Sequence, residues 1–120
     1  MELKQTIEEL KNTIGYGDVL EGTKEGTIVV INDCMLVKAT VQELNARVDG
    51  EVKLVKNYFT REYIILSEVE SVRVVNIKNP CIYLEMKSGI EKFFDVAEST
   101  DLNVILTEMF SYVRKAINKK

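Results

Sequence analysis

Two glycine-containing turns, Asp49-Gly50 and Ser88-Gly89, each interrupt a run of alternating apolar and polar residues. A tight turn of this kind needs backbone that tolerates positive φ, and it can join only antiparallel neighbours. Before the first turn, Leu44, Ala46 and Val48 alternate with Asn45 and Arg47, and Val52, Leu54 and Val55 begin the return. Before the second, Ile82, Leu84 and Met86 alternate with Tyr83, Glu85 and Lys87, and Ile90–Val96 comes back. Pro80 precedes this pair, where a missing N–H does least harm to a ladder. The chain is therefore committed to an antiparallel sheet.

The remaining apolar runs fit the same architecture. Thr27–Ile31 is β-branched and is followed by a polar Asn32-Asp33 break, after which Met35–Val41 resumes the pattern. Tyr63–Leu66 is another strand-like run, and Val69–Ile77 places Val72 and Val74 on one face with Ser71 and Arg73 on the other. Helices are expected at the ends. Leu3, Ile7, Leu10 and Ile14 fall on one face of a helix over 2–14, which Gly15 and Gly17 stop. At this length the helix is marginal alone, so its stripe must dock, either on its own domain or on a partner as an association helix. Leu102, Ile105, Leu106, Met109, Val113, Ala116 and Ile117 form a broader stripe over 100–118, of the width that covers a sheet. Ser99, Thr100 and Asp101 are all competent N-caps for it.

The expected organisation is one domain over residues 1–120, with a helix in 1–16, antiparallel strands in 18–97 and a closing helix in 99–118. The fold class is mainly β (α+β), an antiparallel barrel or sandwich of about seven strands that hides its edges.

Charge narrows the partners. The net charge is −3. The first 60 residues carry 7 basic and 10 acidic side chains, and the last 60 carry 9 and 9. Phosphate contacts supply most nucleic-acid affinity, and neither half offers the positive excess they need. The same balance weakens the case for an anionic membrane surface. The N-terminus MELKQTIEEL has charge from residue 2 and no apolar core of a signal peptide, so a cytoplasmic location is expected, with Cys34 and Cys81 as free thiols.

Catalytic chemistry finds little support. The chain has no histidine, which removes the commonest general base near neutral pH and every His-based metal site. No CxxC pair, nucleophile elbow or phosphate loop occurs, and Gly15-Tyr16-Gly17 follows a helix instead of opening one. Glu68 and Glu70, two apart on an expected strand, read as solvated charge. The expectation is a protein that is not an enzyme and holds no cofactor or metal. The cluster with most binding character is Lys53, Lys56, Tyr58 and Arg61, with Phe59 and Tyr63 interleaved. Cations among aromatics suit an acidic peptide or a stacked base.

Three stretches carry a family resemblance. Gly26–Asn32 looks like an opening strand, Tyr63–Val72 like a "strand, Leu-Ser-acid, strand" passage, and Leu84–Phe94 with the 100–118 helix like a last hairpin and closing helix. Together they resemble the pleckstrin-homology superfamily, in its GRAM-like and bacterial PH-like branches. The resemblance implies a seven-stranded barrel or sandwich capped by a helix, and a binding module for proteins, peptides or lipids. Lipid-binding members place several basic residues after the first strand. Here that position holds Asn32-Asp33, with no cation before Lys38. A protein-interaction adaptor, with homo-oligomerisation open, is the leading expectation. A phosphate or headgroup binder and a small-barrel RNA-binding protein are the alternatives.

Overall fold

The computed structural model describes residues 3–75 and 78–119, with the side chains of Leu3, 42–44 and 55–59 outside that description. In chain order it contains α1 (Leu3–Ile14), β1 (Asp18–Val19), β2 (Thr27–Ile31), β3 (Met35–Val48), β4 (Glu51–Ile65), β5 (Val69–Val75), β6 (Cys81–Met86), β7 (Glu91–Asp95) and α2 (Leu102–Asn118), with a 3-10 turn at Leu66–Glu68 between β4 and β5. The molecule is mainly β, all strand pairs are antiparallel, and the strands fall into sheets ordered β1-β2-β3-β4 and β5-β6-β7. An isolated bridge between Thr23 and Val96 links the two sheets. Lys24 N donates to Asp95 O at 3.1 Å and Ala97 N to Gly22 O at 2.8 Å beside it.

The strand runs are longer than their sequence pattern indicates. Met35–Val41 and Leu44–Val48 are one unbroken β3, and Tyr63–Ile65 is the end of a 15-residue β4. The chain accommodates the polar interruptions with a bulge: Thr40 pairs with Thr60 but Val41 with Tyr58, so β4 carries one extra residue. Beyond the expected strand Val69–Ile77, residues 76 and 77 lie outside the described residues, and β5 ends at Val75. Glu68 lies in the 3-10 turn instead of sharing a strand with Glu70. Gly26–Ile31 contains the second strand, because the two-residue β1 precedes it.

Two apolar clusters hold these elements. Val29, Ile31, Leu36 and Ile64 from the first sheet meet Ile82, Leu84 and Phe94 from the second, and Ile105, Met109, Val113 and Ala116 of α2 close the cluster. The opposite face of the first sheet presents Ile28, Val30, Val37 and Ala39, which Leu10, Ile7 and Ile14 of α1 cover. β2 is therefore buried on both faces, which is why its sequence is a continuous apolar run without alternation. The N-terminal stripe docks on its own sheet: Leu10 is fully buried there, and Ile7 and Ile14 flank it.

Asn32 fixes the end of α1 to this sheet. Its buried amide Nδ2 donates to Ile14 O at 3.1 Å and to Tyr16 O at 2.8 Å, while Oδ1 accepts from Cys34 N and Met35 N, both at 2.8 Å. One side chain thus satisfies helix-end carbonyls and the β2–β3 turn together. Asp101 is the residue that caps α2, its carboxylate accepting from Asn103 N at 2.9 Å.

Candidate functional site

The long axis of the molecule is set by β3 and β4. β2 pairs with β3 only from Leu36 to Thr40. From Val41 to Val48, β3 has β4 as its sole ladder partner among the described residues. Eight residues at about 3.4 Å each make a two-stranded ribbon that leaves the rest of the molecule. The extents of 55 × 34 × 26 Å and a radius of gyration of 15.6 Å reflect it, since a compact chain of this length has about 13.6 Å. Asp49 and Gly50, with φ of 53° and 80°, form the two-residue turn at the tip that the sequence predicts. At the root, Gly26 has φ of 91° and accepts from Val41 N at 2.7 Å; a Cβ there would stand 2.8 Å from Val41 Cγ1.

The root is held by charge as well as by packing. Lys38 is 6% exposed. Its ammonium Nζ donates to Phe93 O at 2.6 Å, lies 4.6 Å from the Phe93 ring centroid and pairs with Glu62 Oε1 at 3.4 Å. Lys92 Nζ approaches Glu62 Oε2 at 3.7 Å. A buried cation without such partners would be costly, and here a backbone carbonyl, a carboxylate and an aromatic face surround it. On the other face, Arg61 Nη2 donates to Glu9 Oε2 of α1 at 2.9 Å. Hydrogen bonding to that carboxylate raises the guanidinium pKa above its ordinary value.

Against this frame the predicted cluster separates. Lys53, Lys56, Tyr58 and Arg61 all lie on β4. Lys53 pairs with Ala46, an even position of β3, whereas Lys56, Tyr58 and Arg61 pair with Glu43, Val41 and Ala39, odd positions. Lys53 and Arg61 therefore occupy opposite faces of the ladder, and Arg61 is engaged with α1. The side chains of Lys56 and Tyr58 lie outside the described residues. Sequence reasoning did not single out Val48, Val52 and Leu54 for function, yet they are 40%, 67% and 58% exposed on the ribbon. The Asp49-Gly50 signal was the available clue. It marks a hairpin but not an arm, because the full length of β3 and β4 is not written in the sequence pattern.

A second polar cluster lies at the opposite end of β3. Asp33 accepts from Tyr16 Oη and pairs with Lys119 at the end of α2. Hydrogen bonds from Lys119 and then Tyr16 lower the Asp33 carboxyl to about 2. Exposed Cys34 and Ile65 border the same shallow depression of about 330 Å³. Cys81 is half-buried and donates to Asp95 Oδ1 at 3.1 Å; desolvation and that contact raise its thiol pKa, so it stays protonated. No group of three or more acidic or thiol ligands that could hold a metal occurs among the described residues. No helix of the described residues is long and apolar enough to cross a membrane.

No protein-family model matches the chain, and no curated protein is similar to it.

Proposed function

We propose that this chain is a non-catalytic binding module of pleckstrin-homology type that engages another protein through the β3–β4 ribbon. The observation that carries this reading is the ribbon itself. Apolar side chains at Val48, Val52 and Leu54 face solvent, and both long edges of residues 42–57 lack a neighbouring strand among the described residues. Bare edges offer main-chain hydrogen bonds to an added strand, and exposed side chains supply selectivity. The 4 + 3 strand arrangement with a closing C-terminal helix supports the pleckstrin-homology resemblance and the sandwich it implies.

The headgroup alternative needs Lys53, Lys56 and Arg61 at one pocket. Their register places Lys53 and Arg61 on opposite faces. In strand order the loop after the first strand is 20–26, which holds Glu21, Lys24 and Glu25, an acidic balance unsuited to phosphate. The RNA alternative fares no better, because the ribbon mixes both signs of charge.

The test is a shortened chain in which residues 43–56 are replaced by a two-residue Asn-Gly turn, so that the register pair Gln42 and Asn57, of the same parity as the Val48 and Glu51 pair at the native turn, closes the hairpin. A partner captured by the full chain, then purified and titrated calorimetrically against both forms, is expected to bind only the full chain. Equal affinity for the shortened chain overturns the reading.

A further inference from the structure

We propose that two copies of this chain join through the free edge of β3, antiparallel, about a two-fold axis at Asn45. The inference rests on the reading of the ribbon as a protein-docking element and names one occupant for it, a second copy. The direction of the backbone groups is the first support. Val41 N donates to Gly26 O, and Asn32 N donates to Met35 O, so odd positions of β3 turn their main-chain groups toward the β2 side. Leu66 N donates to Cys34 O, placing even positions toward β4. Strand alternation carries this past the end of β2. Glu43, Asn45 and Arg47 then present N–H and C=O groups to an edge that no strand among the described residues occupies.

The second support is charge complementarity. In a two-fold antiparallel pair, opposed residues must have the same hydrogen-bonding parity, so the axis must lie at a residue. Centring on Asn45 sets Glu43 against Arg47 of the second copy, twice, and sets Asn45 against itself. On the other face it sets Leu44 against Ala46, also twice. Centring on Glu43 or Arg47 places like charges at the axis. Centring on Ala46 sets Glu43 against Asp49, and centring on Leu44 opposes no pair of charges. The β4 edge offers less: an axis at Val52 sets Glu51 against Lys53 but pairs only residues 51–53 before the turn, an axis at Leu54 sets Val52 against Lys56, and axes at Lys53 or Lys56 set lysine against lysine. Opposed charges and apolar pairs across strands stabilise a ladder, and like charges destabilise it. A two-fold contact of this kind closes at the dimer, whereas β3 laid on the β4 edge of another copy would grow without end.

Sedimentation velocity of the full chain over a concentration series reads the result. The native chain is expected to show a monomer–dimer equilibrium. Arg47→Glu and Glu43→Arg, each alone, are expected to raise the dimer dissociation constant on the order of tenfold or more. Mixing the two single variants restores a dimer, because each then supplies what the other lacks, and the double exchange restores self-association. Circular dichroism and unfolding midpoints confirm that each variant is folded. Amide exchange gives an independent readout: the N–H groups of Asn45 and Arg47 become protected as concentration rises. A native chain that stays monomeric, single variants that dimerise as well as the native chain, a mixture that fails to recover, or assemblies larger than a dimer each overturn the proposal. A monomeric native chain whose captured partner is lost on shortening the ribbon overturns self-pairing alone. A partner that also binds the shortened chain overturns the docking reading with it.

Discussion

The two hairpins of this protein obey the same local rules and end in different surroundings. β6 and β7, six and five residues long, turn at Ser88-Gly89 with Met86 N donating to Ile90 O at 2.9 Å. Ile82, Leu84 and Phe94 on that hairpin are at most 1% exposed. β3 and β4 are more than twice as long. Their root is as deeply buried, through Leu36, Val37, Ala39 and Ile64, but their far half leaves Val48, Val52 and Leu54 in solvent. Alternation and turn chemistry make a hairpin. Only burial of one face against a second layer makes it part of a core, because a two-stranded ribbon alone is marginally stable in water. The far half of the arm has no second layer over Val48, Val52 and Leu54 among the described residues.

That contrast can be broken by mutation. Phe94→Ala removes a fully buried ring between the sheets and is expected to cost about 3–5 kcal/mol in denaturant unfolding. A loss below 1 kcal/mol would mean that the short hairpin is no more central than the long one. Asn32→Ala leaves the Ile14 and Tyr16 carbonyls and the Cys34 and Met35 amides without their shared partner, for a cost of about 1–3 kcal/mol. If α1 carries little of the root's stability, that cost falls to a few tenths. Gly26→Ala, strained by positive φ and by contact with Val41, is expected to cost about 1–2 kcal/mol; a neutral result would show that the root relaxes freely.

Leu54→Ala sharpens the comparison from the other side. At an exposed position of the arm it should change stability by no more than about 0.5 kcal/mol, and a core-sized loss would place the arm within the folding unit. The smallest effect concerns pH. The Asp33 carboxyl is depressed to about 2 from its ordinary 3.8, so its contribution is present above pH 3.8 and is lost as pH falls from there through 2. Chemical shifts of Tyr16 and Lys119 are expected to titrate over that window, while amides of the ribbon tip do not respond. A carboxyl midpoint near 4 would show that the contact with the end of α2 is not maintained in solution.

The legible part of the molecule was the part written in short-range pattern. Asp49-Gly50, Ser88-Gly89 and the two amphipathic stripes act through neighbours a few residues apart, and both turns and both helices stand where those residues place them. The candidate site was less legible, for a reason of parity. Lys53 and Arg61 read as one cluster along the chain, but strand alternation and the bulge at Thr40/Val41 place them on opposite faces. Lys38 stood out in the sequence only as the first cation after Asn32-Asp33, and its burial depends on Phe93 O, 55 residues away, and on Glu62. Asn32 read as a loop break, although it is the buried tie between α1 and the sheet. By itself the sequence determined that this chain forms antiparallel hairpins between two amphipathic helices, because turn conformation and periodicity are local properties. The tertiary structure decided that α1 docks on its own sheet, that Lys38 is buried, and that half of one hairpin stands clear of the core. Each of those depends on which distant surface arrives to cover a face, and no local pattern encodes that.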